Sequence, residues 1–249
     1  MFKIITNDNL EDEHICCSIS GKDKGVVLKK KWLKERLSDG LVFNKLDERG
    51  KVFIEYIPAE SAFAPITAKD YMYINCFWVS GKFKQKGYGS QLLAQCIADS
   101  RSKGKKGLVV LSSNKKKPFL SDPKFLKKKG FKVCDSLGFY DLMYMPFEET
   151  IKPKFKDQVS LETEGNLLYY THQCPHTEKY VGLIKSLAEN HQVNLNVILL
   201  DTKEKAQSAV SPFTTYSLYL KGEFVTNEIL TEKKFLEYLE SYSLLKNPL

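Results

Sequence analysis

The stretch Lys84-Gln85-Lys86-Gly87-Tyr88-Gly89-Ser90 decides the fold of the N-terminal part of this 249-residue chain. It follows Tyr71–Val79, a run of aromatic and β-branched residues whose composition predicts a mostly buried strand. After it, apolar residues recur at helical spacing over residues 92–97. The sequence therefore predicts a strand, then a basic turn that contains glycine, and then a helix over residues 90–103.

The predicted turn suits a phosphate group. The first N–H groups of a helix have no intrahelical partner and point outward at the positive end of the helix dipole. Gly87 and Gly89 allow the backbone to approach a ligand closely, and Lys84 and Lys86 add positive charge. We interpret the turn as a binding site for a diphosphate.

Two other phosphate-binding motifs do not match this stretch. A Walker loop needs Gly-x-x-x-x-Gly-Lys-Ser/Thr, and a dinucleotide fingerprint needs a third glycine where Leu92 stands. The stretch instead resembles the Gln/Arg-x-x-Gly-x-Gly/Ala signature of the GNAT N-acetyltransferases, whose loop holds the pyrophosphate of acetyl-coenzyme A. Residues 78–90 follow the order of that signature, with Lys84 in place of the usual Arg or Gln.

The resemblance implies a fold and a set of cofactor-binding residues. The fold is α/β (α+β), with the mixed sheet and flanking helices of GNAT acyl-coenzyme A N-acyltransferases. Phe125–Phe131 resembles the family's Phe-Tyr-x-x-x-Gly-Phe motif, with Leu126 where the family often has a tyrosine that protonates the departing thiolate. Water or another side chain would then supply that proton. The implied cofactor-binding residues are Trp78, Val79, Lys84, Gln85, Lys86, Gly87, Tyr88, Gly89, Ser90, Asn114 and Phe125.

Acetyl transfer needs a base, because an ammonium group is not a nucleophile until it loses a proton. Glu55 is a carboxylate in an otherwise apolar strand, and we interpret it as the catalytic base, although it could instead face outward. The resemblance places the N–H donor for the acetyl oxygen near Trp78 and Val79, on a splayed strand with a bulge. Alternatives are a base among Tyr73, Asn75 and Cys76, an acyl-enzyme thiol at Cys76 or Cys134, and a His14 pair with Cys16-Cys17.

Charge supports an anionic ligand. The chain has a net charge of +8, and residues 82–132 alone hold 15 basic residues against Asp99 and Asp122. This field would attract the 3′-phosphate and pyrophosphate of coenzyme A. The lysine runs could also be solvated faces. A nucleic-acid site is disfavoured, because no zinc spacing or RNP-like aromatic string accompanies the charge.

The length and composition favour a cytoplasmic protein. The sequence shows no signal-peptide pattern and no apolar run near the roughly 18 residues of a membrane helix. Its six cysteines form no Cys-x-x-Cys pair and its four histidines no metal spacing, so we expect reduced thiols and no metal.

Two domains are predicted, over residues 1–150 and 158–249, joined by a linker at 148–157. We expect the first domain to fold and bind coenzyme A without the second. Its predicted elements are helices at 10–16, 24–38, 90–103 and 121–129, a hairpin of 41–46 with 51–57, and strands at 71–79, 107–111, 131–136 and 139–145.

The second domain is predicted to have the order βαβαββα, which resembles the thioredoxin fold. Cys174-Pro175-His176-Thr177 aligns with the redox Cys-x-x-Cys, with Thr177 in place of the second cysteine, and Ser211-Pro212 aligns with that fold's cis-proline. The tandem resembles bacterial GNAT proteins with a YoaP-like C-terminal domain. A thiol at a helix N-terminus favours its thiolate, so Cys174 is either a reactive thiol or part of a binding surface.

The sequence thus predicts an N-acetyltransferase that transfers acetyl from acetyl-coenzyme A to a small-molecule or peptide amine. Direct attack within a ternary complex is the expected route. The alternative is a non-catalytic coenzyme A-binding protein whose second domain performs thiol-redox chemistry or binds a partner.

Overall fold

The computed structural model describes residues 1–15 and 23–245. The strands are β1 Phe2–Ile5, β2 Val42–Leu46, β3 Val52–Pro58, β4 Ile66–Thr67, β5 Tyr71–Val79, β6 Gly107–Ser113, β7 Lys132–Leu137, β8 Tyr140–Pro146, β9 Lys154–Phe155, β10 Leu167–Tyr170, β11 Asn196–Leu199, β12 Tyr216–Leu220 and β13 Glu223–Thr226. The helices are α1 Lys24–Leu37, α2 Tyr88–Ser102, α3 Pro123–Lys128, α4 Thr177–Asn190, α5 Lys203–Gln207 and α6 Glu232–Ser241.

A seven-stranded sheet with the order β1-β2-β3-β5-β6-β8-β7 organises the N-terminal part. Its pairs are antiparallel except β5 with β6, which run parallel and are connected through α2. This arrangement confirms the predicted mixed sheet with flanking helices. The strand β5 has the predicted bounds, although only Tyr71–Ile74 is fully buried and the rest of the strand is partly exposed.

The two faces of β5 enter different cores. Met72, Ile74, Phe77 and Val79 form the loop face, which packs with Leu92 and Leu93 of α2 and Leu126 of α3. The opposite face of β5 borders a cavity, and we call it the cavity face. It is formed by Tyr71, Tyr73, Cys76 and Trp78, and Trp78 pairs with Phe53 of β3. The loop face is therefore covered entirely by residues within 1–150.

The core on the cavity face is shared between the two predicted domains. It is one apolar cluster that includes Ile5, Leu33, Phe53, Tyr73 and Leu142 from the first range and Tyr169, Leu200, Ala206, Ala209 and Tyr219 from the second. Apolar burial is the main source of stability in such clusters. The two ranges are therefore packed as one body along this face.

Hydrogen bonds reinforce this contact. Gln207 Nε2 donates to the carbonyl oxygens of Glu60 at 3.0 Å and Ala62 at 3.1 Å. The Thr214 hydroxyl donates to the carbonyl of Phe63. Each of these bonds satisfies a backbone carbonyl of the first range with a side chain of the second.

The C-terminal sheet has the order β11-β10-β12-β13 and a separate core against α4 and α6. The strands β10 and β11 are parallel, and the pairs β10 with β12 and β12 with β13 are antiparallel. The predicted βαβαββα order is confirmed element by element. The Ser211–Pro212 peptide bond is trans, so the expected cis-proline is wrong.

Two further sequence-based expectations are corrected, and one additional strand is found. Residues 7–13 form turns held by Asn9, so the predicted helix over 10–16 is wrong for its described part, while residue 16 lies outside the described residues. The strand β1 was not predicted. The predicted linker contains β9, which pairs with β4, and the Phe155 N–H donates to Asp135 Oδ2 at 2.8 Å. Long-range contacts therefore fix a segment whose composition is typical of a loop.

Candidate active site

A gap opens between β5 and β6 in the middle of the sheet. Their parallel pairing covers Tyr71–Ile74 against Gly107–Val110, although β5 continues to Val79. In the pairing with β3, Glu55 lies opposite Cys76 and Tyr56 opposite Ile74, so Asn75 is an extra, bulged residue. The expected bulge is confirmed, and the gap begins at Asn75 rather than near Trp78.

The loop after β5 has a backbone suited to an anion. Gln85 and Gly87 adopt left-handed conformations with φ of 63° and 80°, and Gly87 is the N-cap of α2. The first intrahelical bond runs from the Gln91 N–H to the Gly87 carbonyl at 3.1 Å. The amides of residues 88–90 thus lie ahead of the helical bonding pattern, where the helix dipole is positive.

The charges of this loop and the side chains packed beside it also suit an anionic ligand. Lys84, Gln85 and Lys86 are exposed. A Cβ on Gly89 would lie 3.6 Å from the Phe125 ring and 3.7 Å from Val79. The structure therefore brings Val79, Gly89 and Phe125 together beside the gap, while Ser90 is partly buried in the first turn of α2.

Asn114 is separate from this group. It follows β6, its side chain is exposed, and its N–H donates to the Phe139 carbonyl at 3.0 Å. Nothing in these contacts links its side chain to the loop of residues 84–90.

A cavity of about 340 Å³ lies on the cavity face of β5, next to the gap. Its walls come mainly from α1, β2, β3, β5, β6, the segment that precedes α3, and two loops of the C-terminal range. The lining residues are Ile15, Lys29, Phe43, Lys51, Phe53, Glu55, Tyr73, Ile74, Asn75, Cys76, Phe77, Trp78, Leu111, Phe119, Leu120, Ser121, Gln173, Cys174, Pro175, His176, Phe213 and Thr215.

Glu55 is a fully buried charged group in this wall. Its Oε2 accepts from Lys29 Nζ at 2.5 Å, and its Oε1 accepts from Asn75 Nδ2 at 3.1 Å. Lys29 is itself 4% exposed, so the two charges neutralise each other away from water. Glu55 therefore faces inward, and the outward-facing alternative is excluded.

The C-terminal range supplies the wall opposite the sheet. Gln173 Nε2 donates to the carbonyl of Asn75, the bulged residue, at 3.2 Å. A Cβ on Gly25 in α1 would lie only 1.8 Å from the Pro175 carbonyl oxygen, so the loop before α4 lies directly on the first turn of α1. These contacts place Cys174 and His176 in the cavity wall.

Comparisons with known proteins are consistent with this geometry. The model of the acetyltransferase (GNAT) family matches residues 7–118, and the YoaP-like model matches residues 194–237. A Bacillus subtilis (strain 168) protein described as an uncharacterized N-acetyltransferase, YoaP, is 42% identical over 244 residues, which cover 95% of this chain and 97% of that protein. The chain belongs to the GNAT acetyltransferase family.

Solved structures show weaker likenesses to this GNAT acetyltransferase. A GNAT acetyltransferase from Brucella melitensis, solved with acetyl-coenzyme A, is 13% identical with a TM-score of 0.39, over 61% of this chain and 91% of that one. The PaiA N-acetyltransferase from Thermoplasma acidophilum, solved with coenzyme A, is 16% identical with a TM-score of 0.40, over 59% and 99%. The family assignment rests on the relative that spans nearly the whole chain.

The GNAT and YoaP-like resemblances predicted from the sequence are thus confirmed. The main residues that the sequence did not reveal are Lys29 and the segment 173–176. Lys29 belongs to a run of three lysines, and its neighbours Lys30 and Lys31 carry no pattern that marks one of them as buried. The cavity position of segment 173–176 depends on contacts about a hundred residues away in the chain, such as the 98-residue separation of Gln173 from Asn75.

Tyr73 and the cysteines of this GNAT protein fall into two groups. Burial raises the pKa of Tyr73, which lines the cavity, so it keeps its proton at neutral pH. Burial also raises the pKa of the Cys96 and Cys134 thiols to about 12, and neither lines the cavity. Cys76, by contrast, is only partly buried and does line it.

The described residues show neither a membrane-spanning helix nor a cluster of metal ligands. Within 1–15 and 23–245, no helix combines the length and apolar character needed to cross a bilayer. The same residues contain no group of three or more His, Cys, Asp and Glu side chains placed to hold a metal ion.

Proposed function

We propose that the protein transfers an acetyl group from acetyl-coenzyme A to an amine by direct attack within a ternary complex. The observation that carries the proposal is the gap between β5 and β6. The part of β5 that is not paired with β6 lines the cavity containing Glu55 at Asn75–Trp78 and runs on toward the loop of residues 84–90. A thioester that enters from the loop side therefore meets an amine that enters from the cavity side.

The loop supplies the donor site. The N–H groups of residues 88–90 bind the pyrophosphate, and Lys84, Gln85 and Lys86 add charge and hydrogen-bond donors around it. Val79 and Phe125 line the path of the pantetheine arm beside Gly89. The role of Asn114 in holding the cofactor is inferred from the family resemblance alone.

Glu55 is the proposed general base. An amine in the cavity loses its proton to Glu55 directly or through one water molecule, and Lys29 balances the charge of the carboxylate beforehand. A β5 backbone N–H near Trp78 and Val79 then donates to the acetyl oxygen as negative charge develops on it. Water or a nearby side chain protonates the departing thiolate, because Leu126 is buried and cannot donate a proton.

The second domain is proposed to have a thioredoxin-like fold. The strand order β11-β10-β12-β13 and the position of Cys174 ahead of α4 support this assignment. The boundaries 1–150 and 158–249, a bacterial cytoplasmic location, and the absence of a metal and of nucleic acid from the reaction are also proposals. The acceptor is a small molecule or a peptide terminus.

The phosphate loop offers a direct test. Gly87→Val introduces a branched side chain at φ 80°, in the backbone that must meet the phosphates, so we expect coenzyme A affinity to fall roughly 10-fold or more. Gly104→Val is the matched control, because Gly104 has a φ of 67° with open space around it and lies outside the loop. Calorimetry that finds equal affinity in both folded variants would exclude this donor site.

Catalysis is tested separately by thiol release from acetyl-coenzyme A across a panel of amines. The proposal expects release that depends on the amine, together with an acetylated product in the mass spectrum. Tight binding of coenzyme A without turnover on any amine would favour the non-catalytic alternative.

A further inference from the structure

The pairing of β5 with β3 determines which backbone groups of β5 face the gap. The Ser80 N–H donates to the Lys51 carbonyl at 3.0 Å, and the two strands stay in one register back to Cys76. In an antiparallel pair, every second residue directs its N–H and C=O toward the partner strand. The N–H of Cys76 therefore points toward β3, like that of Ser80. The N–H groups of Phe77 and Val79 point away from β3, into the gap.

The carbonyl of Asn75, the bulged residue, faces the same gap. The peptide bond between Asn75 and Cys76 is trans, and a planar trans peptide directs its C=O and N–H in opposite directions. Since the Cys76 N–H points toward β3, the Asn75 carbonyl points away from β3. It lies just past Ile74, the last residue of β5 that pairs with β6. A hydrogen-bond donor for this carbonyl therefore has to come from outside the sheet.

Gln173 of the second domain supplies that donor. Its Nε2 donates to the Asn75 carbonyl at 3.2 Å, across 98 residues of the chain. The Gln173 N–H also donates to Thr171 Oγ1 at 3.3 Å. Pro175, in the same loop, lies against the first turn of α1. The second domain thus reaches the edge of β5 at the point where the gap opens.

Asn75 also connects this edge to the proposed base. Its Nδ2 donates to Glu55 Oε1 at 3.1 Å. The main chain of Asn75 is therefore held by Gln173, and its side chain holds one oxygen of the carboxylate. A shift of the bulge would displace the contact with Glu55 and the gap-facing N–H groups of β5 together.

We propose that Gln173 is a positioning residue for acetyl transfer, and that the second domain acts on the reaction through it. This inference rests on the proposed acetyltransferase function and adds a contribution from the second domain. Gln173 acts through Asn75: it fixes the bulge, and the bulge fixes the base and the N–H donors relative to the amine and the thioester. A displacement of about 1 Å at such a site lowers turnover on the order of 100-fold.

Another glutamine of the second domain provides the matched control. Gln207 Nε2 donates to the carbonyls of Glu60 and Ala62 at 3.0 and 3.1 Å, so it makes the same kind of contact between the two domains. Gln173 lines the cavity and Gln207 does not. Gln173→Met and Gln207→Met each keep the length of the side chain and remove its N–H donors. If these contacts only tie the domains together, both variants should affect the reaction equally.

The experiment compares the full-length wild type with both variants. The amine is the one that the wild type acetylates fastest among ethanolamine, benzylamine, spermidine and a glycine-terminated peptide. We expect Gln173→Met to lower kcat roughly 10-fold or more, while the Kd for coenzyme A, measured by calorimetry, stays within about two-fold of the wild type. Gln207→Met should keep kcat within about two-fold of the wild type. Its melting temperature should fall at least as much as that of Gln173→Met, because it loses two hydrogen bonds rather than one.

Gln173→Glu is a second variant at the same position. It keeps the size of the side chain, but a carboxylate has no N–H to donate, so kcat should fall at least as much as in Gln173→Met. A wild-type kcat in both Gln173 variants, or an equal loss of kcat in Gln207→Met, overturns the proposal and leaves the acetyltransferase function intact. Loss of coenzyme A binding in both Gln173 variants also overturns it, since a positioning residue at the bulge leaves the donor site unchanged. A wild-type protein that binds coenzyme A but acetylates none of these amines removes the proposed function and this inference with it.

Discussion

On the loop face of β5, Ile74, Phe77 and Val79 pack against two helices that follow within fifty residues in the sequence. On the cavity face, the same strand meets a wall that includes Gln173 and Phe213. The proposed donor site is thus built from neighbouring segments, while the proposed acceptor cavity is lined by residues of both domains. Changes to the second domain should therefore act on the acceptor site first, and the following predictions test that difference.

The largest effect is expected from removing the second domain. A fragment of residues 1–157 would expose the part of the shared core that packs against Tyr169, Leu200 and Tyr219. We expect it to be unfolded or aggregated, and the full chain to unfold in one calorimetric transition. This outcome differs from the independent folding that the sequence predicted. A soluble fragment that binds coenzyme A would instead show that the loop face of β5 and the residues that cover it fold without the second domain.

The next effect concerns the buried ion pair. Glu55→Gln should lower turnover roughly 100-fold or more while coenzyme A affinity stays close to that of the wild type. It should also cost about 3–5 kcal/mol of stability, because Lys29 is left buried without its counter-charge.

The double variant Lys29→Met with Glu55→Gln separates these two losses. Removing both charges should restore most of the stability, measured by denaturant unfolding, but not the turnover. Recovery of activity in the double variant would show that Glu55 is structural and that another group accepts the amine proton.

A third prediction uses a pair of glycines. Gly25→Ala places a Cβ at 1.8 Å from the Pro175 carbonyl oxygen, so α1 or the loop of residues 173–176 must move, at a cost of about 2–3 kcal/mol. Gly182→Ala is the control, because a Cβ there meets open space on α4 and should stabilise the helix by about 0.5–1 kcal/mol. Gly25→Ala should raise the KM for the amine more than that for acetyl-coenzyme A. Equal changes in the KM for the amine and the KM for acetyl-coenzyme A would contradict the inference that the two substrates bind on different faces of β5.

The smallest effect is on acid stability. Lys3 and Lys45 hold the pKa of Glu13 at about 2, below its ordinary value of 4.5. Since the folded-state pKa is lowered, the stabilisation is complete above about pH 4.5 and is lost as the pH falls toward 2. It is on the order of 2 kcal/mol. Glu13→Gln should flatten the loss of stability in this range, measured by unfolding at each pH.

The matched control for this effect is Asp157→Asn. Asp157 has a side chain that is 96% exposed, so the substitution should leave the acid profile unchanged. If the stability of Glu13→Gln falls with pH as that of the wild type does, the ion pairs around Glu13 do not stabilise the folded protein.

The donor side could be predicted because its signals are local. A strand, a loop with Gly87 and Gly89, and a helix follow one another within about thirty residues, and each is fixed by its own composition. The acceptor side could not be predicted in full. Glu55 stood out as a carboxylate in an apolar strand, but its partner Lys29 and the loop at Cys174 depend on tertiary contacts. The acidic segment of residues 10–15 does not form the predicted helix, because turns stabilised by Asn9 supply hydrogen-bond partners for its backbone.

The bulge at Asn75 makes β5 change parity. Before it, the odd-numbered residues Tyr71 and Tyr73 lie on the cavity face; after it, the even-numbered Cys76 and Trp78 do. If β5 kept all its residues but lost the bulge, strict alternation would place Phe77 and Val79 on the cavity face and turn Cys76 and Trp78 to the loop face, whereas deleting Asn75 would leave all four where they are. A single extra residue in β5 thus determines which of the side chains that follow it line the cavity.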